Sequence, residues 1–359
     1  MANHSKSLSA LCSCFRGEAP KNIDWISLIG VANDTLTTPA LIDFVNRFGD
    51  DIPPDVKGYV REMSVRNQDR NQRLSDQLGE ALIALNAIGV TPVLLKGAAT
   101  LATAENTGNV ARLISDLDIM ISPEDVETAL EALFAIGYRI YSQSPRGAAR
   151  FLLDLERDGD VGMIDLHQNL PGHSYFYRSL GNIRQHCSLI AGRLGTAYIP
   201  APTYQAFILI VHDEFQDSDY WTGNIDLRHL LDLRELAHSA EGIDWKLLSA
   251  ISSSRLYRNA LETQVIALHA LFDVEVPREL VKRFIPRVQF QRRLIQSRMP
   301  LLRPTFLATA LLDYKNYRAE IGAEERMAKT SKPQRWSLPK TSTLRYLLDL
   351  SAEKRPGKL

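Results

Sequence analysis

The sequence predicts an α+β fold in which a strand-containing region lies between two helical regions. Two observations favour this class. Apolar residues recur with the 3.6-residue period of helices before residue 90 and after residue 200. Between these regions, short apolar runs without that period alternate with helical segments. Because 359 residues exceed the usual single domain of roughly 100–200 residues, two or three packed units are expected.

The chain before the strands is predicted to be a leader followed by helices. Residues 1–22 have too short an apolar run for a signal peptide, and they are predicted to form a flexible leader. Residues 23–90 are predicted to be an N-terminal helical region. Within it, residues 60–87 predict one long amphipathic helix, and Gly89 is well suited to end that helix.

Residues 91–200 are predicted to form the strand-containing core. Each predicted strand is a short apolar run bounded by glycine, proline or polar turn residues. Small residues after the first strand can begin a helix directly, and a second helix is predicted after the second strand. The three strands that carry candidate functional residues are TPVLLKG (91–97), LISDLDIMI (113–121) and VGMIDLHQ (161–168).

The rest of the chain is predicted to be a helical domain and a tail. Residues 201–320 contain successive amphipathic segments with short Gly, Pro or Ser breaks, which predict a helical bundle. Residues 321–359 hold nine Lys and Arg against four Asp and Glu, a local net charge of +5. A solvated basic tail is favoured there over a nucleic-acid-binding one.

Composition excludes few classes of protein. The 42 Lys and Arg balance the 42 Asp and Glu, so total charge indicates neither a nucleic-acid nor an acidic-membrane partner. No run approaches the roughly 18–20 apolar residues of a membrane-spanning helix. Cys12, Cys14 and Cys187 form no paired framework, which is typical of a reducing compartment. We therefore predict a cytoplasmic protein without a membrane partner.

Asp116 and Asp118 are the first candidates for a chemical role. They flank Leu117 in a predicted strand, and residues two apart in a strand point to the same face. Two carboxylates so close repel each other unless a cation lies between them, and such oxygen ligands suit Mg²⁺. The alternative is a chance Asp-x-Asp in a loop or at an exposed strand end.

The neighbouring motifs favour the metal site. Lys96 and Gly97 end the first predicted strand, where a helix N-terminus and a lysine could hold phosphate oxygens. Asp165 lies on an apolar strand, where an unpaired charge is costly. Arg112 could bind phosphate through its forked guanidinium, or it could form a surface ion pair.

These residues together resemble a known family. LLKGAA, Arg112 followed by SDLDIMI, a helix reaching GYRI, and IDLHQ occur in its order and spacing. The family is the uncharacterised bacterial nucleotidyltransferase family within the DNA polymerase beta superfamily. The resemblance is close over residues 75–200 and extends loosely to about residue 320. It implies a polymerase-beta-like nucleotidyltransferase core, with a mixed sheet flanked by helices.

The resemblance also implies a reaction. A nucleoside monophosphate would pass from a nucleoside triphosphate to an acceptor, with release of pyrophosphate and with Mg²⁺, or alternatively Mn²⁺, as the cofactor. Asp116 and Asp118 match the metal-binding pair. Asp165 matches the third carboxylate, which binds metal and activates the acceptor hydroxyl. Two metal ions about 3.5–4 Å apart would hold the attacking and leaving oxygens.

One position departs from the pattern of the wider superfamily. The usual Gly-Ser pair after the first strand, whose serine contacts the triphosphate, is replaced here by Lys96 and Gly97. We expect Lys96 to neutralise phosphate charge instead. The predicted nucleotide-binding residues are Lys96, Gly97, Arg112 and Ser115.

Three further polar residues are candidates for orienting the acceptor. His167 shares the strand face of Asp165, so it orients the acceptor or the carboxylate, or it is a buried structural histidine. His212 and Asp232 lie on two predicted helices of the bundle. They either reach the acceptor pocket or hold contacts between helices.

No motif specifies the acceptor. A small molecule or a peptide is favoured over RNA because total charge is neutral, although the basic tail favours RNA. Two alternatives stay open: a toxin-like transferase that modifies tRNA or protein, and a non-catalytic nucleotide-binding protein with this fold. A kinase reaction is not supported, since the chain has neither a GxxxxGK[ST] loop nor the kinase signature motifs.

Overall fold

The computed structural model describes residues 2–104, 110–143, 152–172, 174–177 and 180–299, together with residues 306, 313 and 317. In this part of the chain, a mixed sheet is preceded and followed by helices, which confirms the predicted α+β class. The predicted basic tail, residues 321–359, lies outside the described residues. None of the described helices is long and apolar enough to cross a membrane.

The described strands form one sheet. They are β1 (Val93–Leu94), β2 (Leu117–Met120), β3 (Arg139–Gln143), β4 (Leu152–Glu156), β5 (Ile164–His167), β6 (Cys187–Gly192) and β7 (Gly195–Pro200). Their order is β3-β4-β5-β2-β1-β7-β6. Strand β1 pairs with β7 in parallel and β2 with β5 in parallel, whereas the other neighbours are antiparallel. Each of the three strands that carry candidate residues is confirmed, in a shorter form than the apolar run suggested.

Helices precede the sheet, connect its strands and follow it. They are α1 (Ala2–Phe15), α2 (Trp25–Asp34), α3 (Ile42–Arg47), α4 (Pro54–Ala87), α5 (Lys96–Ala104), α6 (Val126–Ala135), α7 (Pro202–Val211), α8 (Asp219–Thr222), α9 (Leu227–His238), α10 (Trp245–Ala250), α11 (Arg255–Phe272) and α12 (Phe284–Arg298). Short 3₁₀ turns lie at Thr38–Leu41, Gly49–Asp51, Pro123–Asp125, Ser174–Phe176, Ile183–His186 and Arg278–Val281. Helix α7 continues into a π-helical turn, His212–Gln216.

Helix α4 is a single helix of 34 residues, and its polar side chains hold the loop that leads into β2. Asn71 donates to the carbonyl oxygen of Arg112 (2.9 Å). Arg70 donates to the carbonyl oxygens of Ile114 (3.1 Å) and Ser115 (3.0 Å). Amides and guanidinium groups on a helix usually indicate a solvated face, so the periodicity located the helix but not these contacts.

The buried apolar side chains form two cores. One core lies between the sheet and helices α4, α5 and α6, and it includes Leu78, Leu94 and Ile119. The other joins α1, α2 and α3 to the helices that follow the sheet, with Leu28 and Phe207 among its members. Residues 23–90, predicted to be one N-terminal region, therefore divide between the two cores. The part of α4 from Leu74 onwards packs with the sheet, whereas its start packs with α3, and α2 packs on α1, which in turn contacts the C-terminal helices.

The flexible leader predicted for residues 1–22 is wrong for most of that segment, because residues 2–15 form helix α1. Leu11, Cys12 and Cys14 are at most 2% exposed, and they belong to the core of the C-terminal helices. Arg16, just after the helix, donates to the carbonyl oxygen of Leu271 (2.8 Å). The apolar positions were too few to predict a helix from this segment alone, and some of their partners, α11 and α12, lie far along the chain.

A buried ion pair fixes the π-helical turn against α12. Arg293 donates to Glu214 twice, from Nη1 to Oε1 (2.8 Å) and from Nη2 to Oε2 (2.5 Å). The two side chains are 2% and 0% exposed. Gln264 on α11 also donates to Glu214. The geometry is the forked arrangement that guanidinium and carboxylate groups favour, and it holds three helical segments together.

Candidate active site

Strand pairing places three carboxylates in one row across the sheet. In the parallel β2–β5 pair, Asp118 lies opposite Asp165. In the antiparallel β4–β5 pair, Asp154 lies opposite the same Asp165. Residues directly opposite each other on neighbouring strands point to the same face. Asp154 was not among the predicted site residues, although its place between the buried Leu153 and Leu155 could have indicated it.

Asp118 is at the centre of the site and is 1% exposed. Lys96 Nζ lies 2.8 Å from its Oδ1, and His167 Nε2 donates to the same oxygen (2.9 Å). Burial alone would raise the pKa of Asp118, but the Lys96 charge and the His167 hydrogen bond hold it well below the usual range. Asp118 Oδ2 is buried and has no hydrogen-bond partner among the described residues.

The pKa of Asp165 is shifted in the opposite direction to that of Asp118. Burial, followed by the negative charges of Asp118, Asp116 and Asp154, raises its pKa to about 8. Like charges in a low-dielectric setting favour the protonated carboxyl unless a cation neutralises them. Two adjacent carboxyl groups therefore differ strongly in their affinity for a proton, a pattern that is common in functional sites.

The side chains close enough to hold one metal ion are Asp118, Asp165 and His167. One ligand atom from each lies within 4.8 Å of the other two. Asp116, which precedes β2, is not part of this group. Asp116 still acts on the group through its charge.

Lys96 adopts a backbone conformation that is rare for residues other than glycine. Its φ is +45°, in the left-handed region, at the junction where β1 gives way to α5. That conformation costs a residue with a side chain about 1–2 kcal/mol. The lysine side chain is 10% exposed and is committed to Asp118. The chain thus tolerates backbone strain at the residue whose ammonium group reaches the carboxylate row.

A pair of substitutions measures this strain. Lys96→Ala and Lys96→Gly both remove the ion pair with Asp118, but only glycine relieves the left-handed backbone. We expect the glycine variant to have a free energy of unfolding about 1 kcal/mol higher than the alanine variant, as measured by denaturant titration. Equal values for the two variants would contradict the strain at this position.

Gly97 and Arg112 pack directly against each other. A Cβ atom at Gly97 would lie 2.7 Å from Ile114 Cγ2 and 2.8 Å from Arg112 Nη1, so no side chain fits there. Arg112 Nε lies 2.9 Å from both carboxylate oxygens of Asp232 on α9. The predicted phosphate-binding Arg112 and the predicted acceptor-orienting Asp232 therefore form a pair with each other. This pair joins the β2 loop to the C-terminal helices.

The other predicted residues lie close to this centre. Ser115 precedes β2, and its carbonyl oxygen is held by Arg70. His212 is in the π-helical turn, where its Nδ1 lies 3.2 Å from Asp217 Oδ2. Burial, with a smaller contribution from the Lys96 charge, lowers the pKa of His212 to about 4. His212 therefore lies within electrostatic reach of the carboxylate row.

A large cavity adjoins Lys96. Its volume is about 1040 Å³, and it lies between the sheet, α9 and the N-terminal helices. Lys96, Arg112, Arg228 and Asp232 line it, whereas Asp118 and Asp165 do not. Lys96, which contacts Asp118, connects the wall of this cavity to the carboxylate row. The volume is in the range of ligand pockets.

The sheet brings together carboxylates, a lysine and a histidine, a set of side chains that suits metal-assisted chemistry on phosphate groups. A family model described as "Uncharacterised nucleotidyltransferase" matches residues 21–273. The chain belongs to this family, and the protein is a nucleotidyltransferase that uses a nucleoside triphosphate. The match includes α2, α3 and most of the C-terminal helices, beyond the segment that most closely resembled the family. No curated protein and no solved structure matches the chain.

Proposed function

We propose that this nucleotidyltransferase transfers a nucleoside monophosphate to a hydroxyl group of a small molecule or a peptide and releases pyrophosphate. The observation that supports this reaction is the pairing of Asp118 with Asp165 on adjacent parallel strands, with Lys96 bound to Asp118. The strand order and the position of these residues also support membership of the polymerase beta superfamily.

The residues fit a divalent cation. Asp118 Oδ2 is buried with no hydrogen-bond partner among the described residues, which is costly unless a cation binds it. Asp165 faces the same space, and both groups offer the oxygen ligands that Mg²⁺ and Mn²⁺ prefer. We assign Asp118 and Asp165 as metal ligands, with Asp116 as the third carboxylate. When bound, the metal would neutralise charge on the transferred phosphate.

The chain's own side chains supply the rest of the chemistry. Lys96 is the cation nearest the carboxylate row, and it neutralises triphosphate oxygens at the start of α5. His167 holds the Asp118 carboxylate in place through a 2.9 Å hydrogen bond. Asp165 accepts the proton of the acceptor hydroxyl as the hydroxyl oxygen attacks the α-phosphorus. Arg112 stabilises phosphate charge if the substrate draws it away from Asp232.

The cavity beside Lys96 is the proposed acceptor site. Its volume of about 1040 Å³ suits a small molecule or a peptide segment. Its wall contains side chains of both charges: Arg112 and Arg228 are positive, and Asp232 is negative. A duplex RNA site would require a continuous basic surface instead.

Labelled nucleotides test the reaction. The purified protein is incubated with Mg²⁺, an extract of its host and each nucleoside triphosphate, labelled at the α or the γ phosphate. We expect α label to appear on an acceptor, and the labelled species identifies the acceptor class. Transfer of γ label alone would show a kinase reaction and contradict the mechanism. Bound nucleotide without transfer of either label would favour a non-catalytic protein.

A further inference from the structure

We propose that His212, Asp217 and His229 form a second metal site, which binds one divalent transition-metal ion of the zinc type. The site is separate from the carboxylate row and belongs to the C-terminal helices. The proposal does not depend on nucleotidyl transfer.

The side-chain geometry suits a single tetrahedral ion. One ligand atom from each of the three residues lies within 4.8 Å of the other two. His212 Nδ1 and Asp217 Oδ2 are 3.2 Å apart. Two ligand atoms bound to the same tetrahedral zinc, each at about 2.0–2.1 Å, are separated by roughly 3.3 Å. The observed separation, which is also that of a hydrogen-bonded pair, therefore lets one ion bind both atoms with little movement.

The backbone builds this arrangement through an unusual turn. In the π-helical turn His212–Gln216, the amide of Asp217 donates to the carbonyl oxygen of His212 (2.9 Å), five residues earlier. An α-helix would instead pair residues four apart, so the π turn brings His212 and Asp217 side by side. Ser218 follows with a φ of +68°, a second irregularity. Single π turns and strained residues are both frequent at functional sites.

The surroundings of His229 are those of a metal-bound histidine. Its Nδ1 lies 3.0 Å from Asp213 Oδ1 and 3.5 Å from Asp226 Oδ2. Gln264 in turn donates to Asp213. Metal-bound histidines commonly use one ring nitrogen for such a carboxylate, which fixes the ring and leaves the other nitrogen for the metal. Because these carboxylates occupy Nδ1 of His229, Nε2 is the ring nitrogen left for a metal ion.

Local charge also favours a cation. Asp213, Glu214 and Asp219 are 1%, 0% and 8% exposed. Glu214 is neutralised by Arg293, and Asp213 contacts His229. The hydrogen bonds of Asp219 within the described chain come from uncharged donors, the nearest being the amide of Asn224 (3.0 Å). Buried carboxylates without cations are costly, and a bound metal ion would reduce that cost.

The ligand set distinguishes the proposed ion from Mg²⁺. Two imidazoles and one carboxylate suit zinc and related first-row metals, whereas Mg²⁺ prefers oxygen ligands alone. Three protein ligands leave a fourth tetrahedral position open, as in catalytic rather than structural zinc sites. The Asp217 side chain is 39% exposed and that of His212 is 12% exposed, which gives the ion a route of entry.

Cobalt provides a direct test on the full-length chain. Metal-free protein is titrated with Co²⁺, whose visible spectrum reports tetrahedral coordination, and Zn²⁺ is then added as a competitor. We expect one Co²⁺ per chain to give a tetrahedral spectrum, beside any Co²⁺ that the carboxylate row binds, and we expect one equivalent of Zn²⁺ to displace the tetrahedral ion. His212→Ala and Asp217→Asn are each expected to weaken binding by at least about tenfold, since even the loss of an outer partner has that effect.

Three controls make the outcome decisive. His238→Ala removes an exposed histidine of α9 and should keep the parental spectrum, as should Asp165→Asn in the carboxylate row. Far-UV circular dichroism checks each fold. If His212→Ala does not fold, the half-exposed Asp217→Asn variant decides. The proposal is overturned if the parent gives no tetrahedral spectrum, if both ligand variants bind like the parent, or if only Asp165→Asn loses the spectrum.

Discussion

Asp165→Asn is expected to reduce nucleotidyl transfer by at least about 100-fold, which is the lower range for the loss of a positioned general base. The substitution keeps the size of the side chain but removes both a metal ligand and the group that accepts the acceptor's proton. Transfer of α-labelled nucleotide under saturating Mg²⁺ measures the loss. The fold should be retained, because Asp165 lies beside other carboxylates rather than in an ion pair.

The same substitution should stabilise the metal-free protein. The pKa of Asp165 is raised to about 8 in the folded state, above the usual 3.8 of an aspartate, so the folded protein holds a proton that the unfolded chain releases. This contribution to stability is complete below about pH 4, and it is lost as the pH rises to about 8. The slope in that window is at most about 1.4 kcal/mol per pH unit. Asp165→Asn removes this slope, and thermal unfolding across the window checks it.

Asp154→Asn is the matched control, since it removes a carboxylate from the neighbouring position of the same row. Asp154 accepts a hydrogen bond from Ser142 and is not in the group that could share a metal ion with Asp118. We expect this variant to keep transfer while lowering the pKa of Asp165. Parental transfer by Asp165→Asn, or an equal loss in both variants, would show that the row has no specific catalytic member.

Arg293→Met is expected to lower the free energy of unfolding by about 3–5 kcal/mol, the usual cost of removing one partner of a buried ion pair. Glu214 would remain 0% exposed without its cation, in a region that already holds other carboxylates. Denaturant titration of the purified variant measures the change. Activity should fall only as far as the folded fraction falls, because Arg293 does not touch the carboxylate row.

Two further variants test whether the loss of stability in Arg293→Met comes from the unpaired buried charge or from the change of side chain. Arg287→Met changes an exposed arginine of the same helix, and it should alter stability by less than about 0.5 kcal/mol. The double variant Glu214→Gln with Arg293→Met should recover part of the lost stability, because no unpaired charge is then buried. A double variant less stable than Arg293→Met would mean that Glu214 is stabilised by groups other than Arg293.

The sequence was informative where the signal is local. The alternation around Asp118, the apolar strand that carries Asp165 and the helical periodicity of residues 60–87 all led to elements that the structure contains. The site itself depends on which strands become neighbours. The spacing of residues along the chain does not predict that β2 pairs with β5. The contact between Lys96 and Asp118 was therefore not predicted, since Lys96 was expected to bind phosphate, and His167 was expected to orient the acceptor or Asp165 rather than Asp118.

Other features depend on contacts that periodicity cannot report. Asn71 and Arg70 lie on a face of α4 that resembles a solvated surface, yet they hold the loop before β2. Arg112 and Asp232 were given separate roles, and they bind each other across 120 residues. The grouping of His212 with Asp217 depends on a π-helical turn, which the periodicity of the sequence does not predict.

Helix α1 has a consequence for the order of events during synthesis. Part of its packing depends on segments that are made much later: Arg16 binds a carbonyl oxygen 255 residues later, and Phe15 packs against Phe272 at a ring distance of 6.3 Å. At about 5–20 residues per second, a ribosome needs roughly 13–50 s to make the intervening chain. Helix α2, which also packs on α1, is made at once, and the sheet can pair in that interval. The face of α1 that packs on α11 and α12 must wait, so this face stays open to chaperones and to aggregation until those helices are made.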